Sequence, residues 1–369
     1  MAALLLVVVV GVPAPSPPPP TSGSDALERR AVADLTVFTD WLGGERGYIG
    51  EVGWPTDSSQ WNGPADAWYD QADRAGLWVT AWATGEWWGP YDLAVYEASG
   101  SILDRPSPAA TVVEAHQGAP GNDRGVSVNG GEFGAGTNTG TGTGGTFSNV
   151  NVGVYDRDYH YESQDSLDYL ASRGIEVIRL PFRWERVQPM PGGPLDGAEV
   201  QRLNDAIVRA GDAGLDVIPT AMNYGAYWLH DSTTGTGRRT ALGSTTLGAA
   251  HLADLWSRLV TSLGARPNIR AWGLMNEPAE IVGGAAAWER ISQQVVRSVR
   301  DAGERRTIAV PGYNWSTASR FASTHQSGPW IDDPADDIVY EAHQYFDANR
   351  SGEYQSYEQE LANATTTGD

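Results

Sequence analysis

The sequence predicts a (β/α)8 barrel of the α/β class, and three observations carry that expectation. Eight short apolar runs recur along the chain, most of them closing on polar or aromatic residues: YIGE (48–51), LWVTAW (77–82), GVSVN (125–129), EVIRLP (176–181), DVIPTAMN (216–223), IRAWGLMNE (269–277), TIAVPG (307–312) and IVYEAHQY (338–345). The segments between them have helical spacing with sensible caps. The 369-residue chain is also long enough for eight strand–helix units. An open, doubly wound sheet is the alternative arrangement of the same units.

Taken in order, residues 1–24 begin with an apolar run from Ala2 to Val10 and continue into the Pro-rich stretch Pro13 to Pro20. The run is too short to span a bilayer and suits the apolar region of a secretory signal, although no Lys or Arg precedes it. The prolines read as an extended spacer. We therefore expect a secreted protein with a single barrel over residues 25–369. ALERRAVADLTVFTDWL is the first helix, and SQDSLDYLASRG is a later one, led by Ser163 and closed by Gly174. AEVQRLNDAIVRAGDAG, HLADLWSRLVTSLG and AAWERISQQVVRSVRDAG end in Ala-Gly or Leu-Gly shortly before the next apolar run. The Gly/Thr/Asn-rich stretch 130–153 reads as a surface loop. Its GxG triplets do not make a phosphate cradle, because no Lys-Ser/Thr pair and no helix follow them.

Composition excludes several functions. The chain has 46 acidic and 25 basic residues, a net charge of −21, which repels nucleic acid and anionic membrane surfaces. With no cysteine there is no disulfide framework, thiolate nucleophile or Cys-ligated zinc. The 15 Trp and 15 Tyr against 6 Phe favour rings that stack on sugars while their polar tips hydrogen-bond. Helix-borne Trp residues are expected in the core instead.

In such a barrel, chemistry sits at the C-terminal strand ends. The polar residues there are Glu51, Trp82, Arg179, Asn223, Asn276 with Glu277, and His343 with Tyr345. Two Glu facing one cleft are the minimal equipment of a glycosidase, one carboxyl protonating the leaving oxygen and the other attacking. Arg179 could equally be a structural ion pair, and His343 a core histidine. Trp54, Trp87, Trp88, Trp184, Trp228 and Trp315 follow strand ends and are candidate sugar platforms, about half of them expected to touch substrate.

The motifs IRLPFRWERVQP, MNYGAYW, WGLMNEP, VPGYNWS, VYEAHQYFD, GYIGEVGWP and AWATGEWWGPYDL together resemble glycoside hydrolase family 5, the family of the cellulases. The resemblance implies Glu277 as acid/base and Glu51 as nucleophile. It also implies Arg179 turned toward the nucleophile, Asn276 on the sugar 2-hydroxyl, His343 and Tyr345 lining the cleft, and Trp82 beneath the sugar being cleaved. Asn223, Trp88 and Trp315 are further supporting or substrate-binding candidates. An arginine beside Glu51 is expected to hold its pKa down. The implied function is a retaining endo-β-1,4-glucanase acting on β-glucan, expected to be a monomer and to need no metal or organic cofactor. A β-mannanase, a mixed-linkage β-glucanase and a non-catalytic carbohydrate-binding barrel are the alternatives.

Two features depart from the family pattern. Met222 stands where the family usually has His, so a hydrogen bond near the nucleophile is in doubt, and Met222→His is expected to raise turnover. The motif order also differs: residues 25–117 resemble the family's C-terminal part and 124–369 its N-terminal part. This implies a circularly permuted barrel that closes by pairing 338–345 with 48–51.

Overall fold

The computed structural model describes residues 25–118, 122–134 and 146–366. The signal-like and Pro-rich segment 1–24 lies outside the described residues. All eight apolar runs contribute to one parallel sheet: β1 (Gly47–Gly53), β2 (Trp78–Thr84), β3 (Arg124–Val128), β4 (Val177–Phe182), β5 (Asp216–Ala221), β6 (Ala271–Gly273), β7 (Thr307–Pro311) and β8 (Ile338–Tyr345). The order is β1-β8-β7-β6-β5-β4-β3-β2, and β2 pairs again with β1, which closes the barrel. The closing register joins the two ends of the sequence, from Gly47 beside Tyr340 to Gly53 beside Tyr345.

Parallel neighbours need a crossover, and helices supply it. Of α1 (Asp25–Leu42), α2 (Asn62–Arg74), α3 (Ala110–Ala115), α4 (Gln164–Ser172), α5 (Gly197–Asp212), α6 (Ala249–Leu263), α7 (Gly284–Asp301) and α8 (Tyr357–Thr366), α2 to α7 are crossovers, while α1 precedes β1 and α8 follows β8. The caps follow the sequence: Ser163 accepts from the Ser166 amide at the start of α4, and Gly174 leaves that helix at φ +84°. After β7 there are only short turns, Ala318–Arg320 and Phe321–Thr324, and α1 packs against them, α2 and β8. Its stripe Leu27, Ala31, Leu35, Phe38 and Leu42 is buried, the spacing that puts one helix face on the barrel.

The strands are apolar on both faces because both are covered. Tyr48, Trp78, Val177, Ile218, Ala271, Ala309 and Val339 fill the base of the barrel. Tyr340 and Ala342 face the helix layer. By strict alternation, Glu341, His343 and Tyr345 then point into the barrel above Val339. On β1 the alternation breaks. Tyr48 lies inside, Ile49 and Val52 lie under the helices, and the register shifts between Ile49 and Glu51. The irregularity lets Glu51 turn inward when simple period-two alternation puts it under the helices, a usual service of β-bulges beside functional sites.

Two hairpins were not expected from the sequence. Tyr96–Ser99 extends the sheet beside Thr84 and pairs antiparallel with Ile102–Pro106, and Ala226–Asp231 pairs with Thr236–Ala241. The Gly-rich stretch is also not simply a surface loop. Its centre, 135–145, lies outside the described residues, but Glu132, Phe133, Phe147 and Ser148 on either side are buried and anchor it.

Candidate active site

Glu51 and Glu277 meet over the mouth of the barrel. A carboxylate oxygen of each lies within 4.8 Å of the other and of a His343 ring nitrogen. Glu51 sits within β1, two residues before its end, and is 3% exposed. Arg179 Nη1 donates to its Oε1 at 3.0 Å and the Tyr345 hydroxyl to its Oε2 at 2.7 Å. Glu277 stands on the loop four residues beyond the end of β6, not on the strand itself, at φ +41°. Such left-handed backbone costs about 1–3 kcal/mol and persists only where neighbours hold it. Here the holders are backbone bonds: Asn276 N to Ala221 O at 2.7 Å, Tyr224 N to Asn276 O at 3.1 Å and Asn314 N to Pro278 O at 2.9 Å.

His343 bridges the pair from below. Its Nδ1 is 2.9 Å from Glu277 Oε1 and 3.5 Å from Glu51 Oε2, and its Nε2 is 3.1 Å from Glu341 Oε1. It is thus both a buried histidine and part of the site. Arg179 Nη2 donates to Asn276 Oδ1 at 2.6 Å and to Glu341 Oε1 at 2.9 Å. Arg179 is likewise a buried ion pair and a site residue, and it lies within β4 instead of at its end.

Electrostatics correct one expectation. Arg179 does not hold Glu51 low: burial pushes its carboxyl up, the nearby Glu277 adds to this, and the opposing pull of His343 and Arg179 leaves it at about 6. Burial disfavours a charged His343, yet Glu51, Glu277 and Glu341 outweigh it and raise the imidazole to about 9. Burial opposes ionisation of Glu341, but Arg179 and His343 hold it below the usual carboxylate range. Burial and the Glu51 charge keep the Tyr345 hydroxyl protonated and able to donate.

The aromatic candidates separate by burial. Trp315 is 47% exposed on the β7 loop, where Asn314, Trp315 and Ser316 all have positive φ, and its ring lies 6.3 Å from Tyr224. Trp82, nearly buried, donates Nε1 to the Tyr91 hydroxyl at 2.8 Å, and Trp88 stacks on Tyr91 at 4.1 Å. Trp87 and Trp228 are half-buried. Trp54 and Trp184 are core residues and cannot be platforms, because no sugar reaches a ring packed on all sides. The helix-borne Trp61, Trp68, Trp256 and Trp288 are buried as expected. A cavity of about 530 Å³ opens on the same rim, with Trp61, Tyr91, Leu93 and Tyr354 among its walls.

Asn223 is turned toward its own loops. Its Oδ1 accepts from the Trp184 amide, and its Nδ2 donates to both Glu185 oxygens and Ala226 O, so its polar atoms are spent holding the β4 and β5 loops together. Met222 packs with Trp82, Ala83, Leu93 and Tyr345 in an apolar cluster under the site. Glu341 was missed from the sequence. Its signal was the alternation in YEAHQY, which puts Glu341, His343 and Tyr345 on one face.

Known proteins resemble this chain in sequence and in fold. The chain matches the sequence model of the family described as Cellulase (glycosyl hydrolase family 5) over residues 134–368. It is 26% identical over 190 residues to the manganese dependent endoglucanase Eg5A of Phanerodontia chrysosporium, covering 50% of this chain and 46% of that protein. With endo-beta-1,4-glucanase B of Emericella nidulans it shares 25% over 205 residues, 55% of this chain and 57% of that one. The chain thus spans about half the length of these curated relatives. Among solved structures it resembles Pseudomonas stutzeri endoglucanase Cel5A in complex with cellobiose, with a TM-score of 0.52 and 29% identity over 62% of this chain and 61% of that one. The endo-beta-1,4-glucanase Xac0029 from Xanthomonas axonopodis pv. citri has the same TM-score and identity, over 65% of this chain and 72% of that one. A closed barrel with this pair of carboxyls, matched by that family over residues 134–368, means that the chain belongs to glycoside hydrolase family 5.

Proposed function

We propose that this chain is a retaining endo-β-1,4-glucanase, with Glu51 as nucleophile and Glu277 as general acid and then base. The observation that carries the reading is the approach of the two carboxyl groups to within 4.8 Å, oxygen to oxygen. Retaining glycosidases hold their carboxyls about 5–5.5 Å apart, whereas inverting ones leave ~6.5–9.5 Å for a water. In the first step Glu51 attacks the anomeric carbon, the glycosidic C–O bond breaks, and the Glu277 proton goes to the leaving oxygen. In the second, Glu277 takes a proton from water, the water oxygen bonds to the anomeric carbon, and Glu51 departs.

Supporting residues fit those steps. Tyr345 and Arg179 hold the attacking carboxylate in place with one hydrogen bond on each oxygen. Asn276 Nδ2 has no protein acceptor among the described residues, which suits a bond to the sugar 2-hydroxyl. Trp82, Trp88 and Trp315 would carry sugar rings. The choice of β-glucan rests on relatives named endo-β-1,4-glucanase and on a TM-score of 0.53 to XacCel5A in complex with cellopentaose.

Manganese finds no place in this mechanism. Glu51, Glu277 and His343 offer ligand-type atoms close together. However, both His343 nitrogens already face carboxylates, and the proposed steps need the Glu51 and Glu277 carboxyls for the sugar.

The same proposal includes a circular permutation, with 25–117 equivalent to the family's C-terminal part and 124–369 to its N-terminal part. In support, the matched span begins at residue 134 and leaves out the strand that carries Glu51, although that strand closes the barrel against β8. Export through the apolar segment within 1–24 completes the reading.

The test is reducing-sugar release from carboxymethylcellulose, lichenan and mannan by wild type, Glu51→Gln and Glu277→Gln. Wild type is expected to cut carboxymethylcellulose best, and each variant to lose that activity. Binding by all three proteins with cutting by none points to a sugar-binding barrel instead.

A further inference from the structure

The geometry points to Glu341 as a positioning residue that governs both catalytic carboxyls from beneath, with Gly50 conserving the space it needs. The inference rests on the roles proposed for Glu51 and Glu277 and adds a third carboxyl to them.

One atom, Glu341 Oε1, receives two donors: Arg179 Nη2 at 2.9 Å and His343 Nε2 at 3.1 Å. Each donor then reaches a different catalytic group. Arg179 passes on to Glu51 Oε1 and to Asn276, and His343 to Glu277 Oε1. The nucleophile and the acid are thus each one residue away from the same oxygen. Glu341 itself is fully buried, and its Oε2 has no partner among the described residues. A buried carboxylate with one empty oxygen is costly unless its charge is used. Here it is the counter-charge that lets a buried Arg179 and a buried His343 stand beside each other.

The orientation of His343 follows. A carboxylate only accepts, so the Glu341 contact keeps a proton on Nε2 and leaves Nδ1 facing Glu277. With Glu51, Glu277 and Glu341 around it the ring also keeps its second proton, so Glu277 Oε1 accepts from Nδ1–H and the proton destined for the leaving group is confined to Oε2, the oxygen free to meet the substrate. Once that proton has gone, the same N–H steadies the Glu277 carboxylate until water supplies another.

Gly50 is the complementary observation. A Cβ there lies 2.8 Å from the Glu341 carboxyl carbon and 2.9 Å from its Cγ, closer than side-chain atoms approach. The residue next to the nucleophile is therefore bare because the Glu341 carboxyl occupies the volume of its side chain.

The experiment compares kcat and KM of wild type, Glu341→Gln, Glu341→Asp and Gly50→Ala on dinitrophenyl β-cellobioside, whose leaving group needs no acid, and on phenyl β-cellobioside, whose leaving group does. Glu341→Gln is expected to lose about 10²-fold in kcat on the phenyl substrate, the scale of a misplaced catalytic group. The loss in the first step on the dinitrophenyl substrate, read from burst kinetics, should be smaller, and KM for the phenyl substrate should stay within about twofold. Gly50→Ala keeps the charge but displaces it and should give the same pattern, while Glu341→Asp should recover part of the loss. Equal losses on both substrates, or wild-type kcat in folded Glu341→Gln, overturn the inference. If Glu341→Gln does not fold, a wild-type pattern in Gly50→Ala overturns it. A wild type that cuts neither glycoside overturns the proposed function itself, a result distinct from an active wild type beside an unchanged variant.

Discussion

The two carboxyls proposed for catalysis are held in opposite ways. Glu51 belongs to a strand, at the break in its alternation, is 3% exposed and has both oxygens hydrogen-bonded. Glu277 stands on a loop at positive φ, with its side chain 16% exposed and His343 against Oε1. The contrast suits the proposed division of labour. An attacking carboxylate gains from being fixed and from having its hydration replaced by oriented donors, whereas a group that gives and takes a proton in turn must reach water.

Four changes are expected to break or sharpen that contrast. Glu51→Gln should abolish both steps, with kcat falling roughly 10⁴-fold or more on every substrate, measured by reducing-sugar release. Glu277→Gln should cost about 10²–10⁴-fold on glucan and far less in the first step on dinitrophenyl β-cellobioside, read from burst kinetics. Equal losses for the two variants on the activated substrate would erase the distinction. Trp315→Ala should leave the chemistry alone and raise KM for glucan about tenfold, since an exposed ring can bind sugar without touching the carboxyls. Met222→His should raise turnover by a few-fold, roughly the value of one hydrogen bond near Glu51. Unchanged or lower turnover in a folded variant contradicts this.

The contrast also has a pH dimension. Burial raises Glu51 to about 6, so the acidic limb of kcat/KM should rise through about pH 6, and a limb near pH 4 contradicts the assignment. The stability sign is the reverse. A folded pKa above the unfolded one contributes stability that is fully present below the ordinary glutamate range and is lost as pH rises through about 6. The melting temperature of Glu51→Gln should therefore gain on wild type across that interval.

The sequence disclosed the barrel because parallel strands buried on both faces leave continuous apolar runs, and YIGE and IVYEAHQY were legible for that reason. It disclosed both glutamates because a charge in such a run is conspicuous. Glu341 was equally conspicuous, but it lies inside its run and not at the end, and its meaning depends on alternation. The inward turn of Glu51 was hidden, because a shift of register leaves little trace beyond a glycine. The two hairpins were hidden as well: Tyr96–Ser99 is only four residues long, and Thr236–Ala241 is mostly polar. Asn223 has a supporting place, since a polar residue closing a run can serve its own loop as readily as a ligand.

The most direct test of the account is the anomeric form of the first product, followed by proton NMR during hydrolysis of a cello-oligosaccharide. Carboxyl oxygens within 4.8 Å of each other suit double displacement with retention, so the β-anomer should appear first and then mutarotate. Initial release of the α-anomer would contradict the double displacement, and with it the roles given to Glu51 and Glu277.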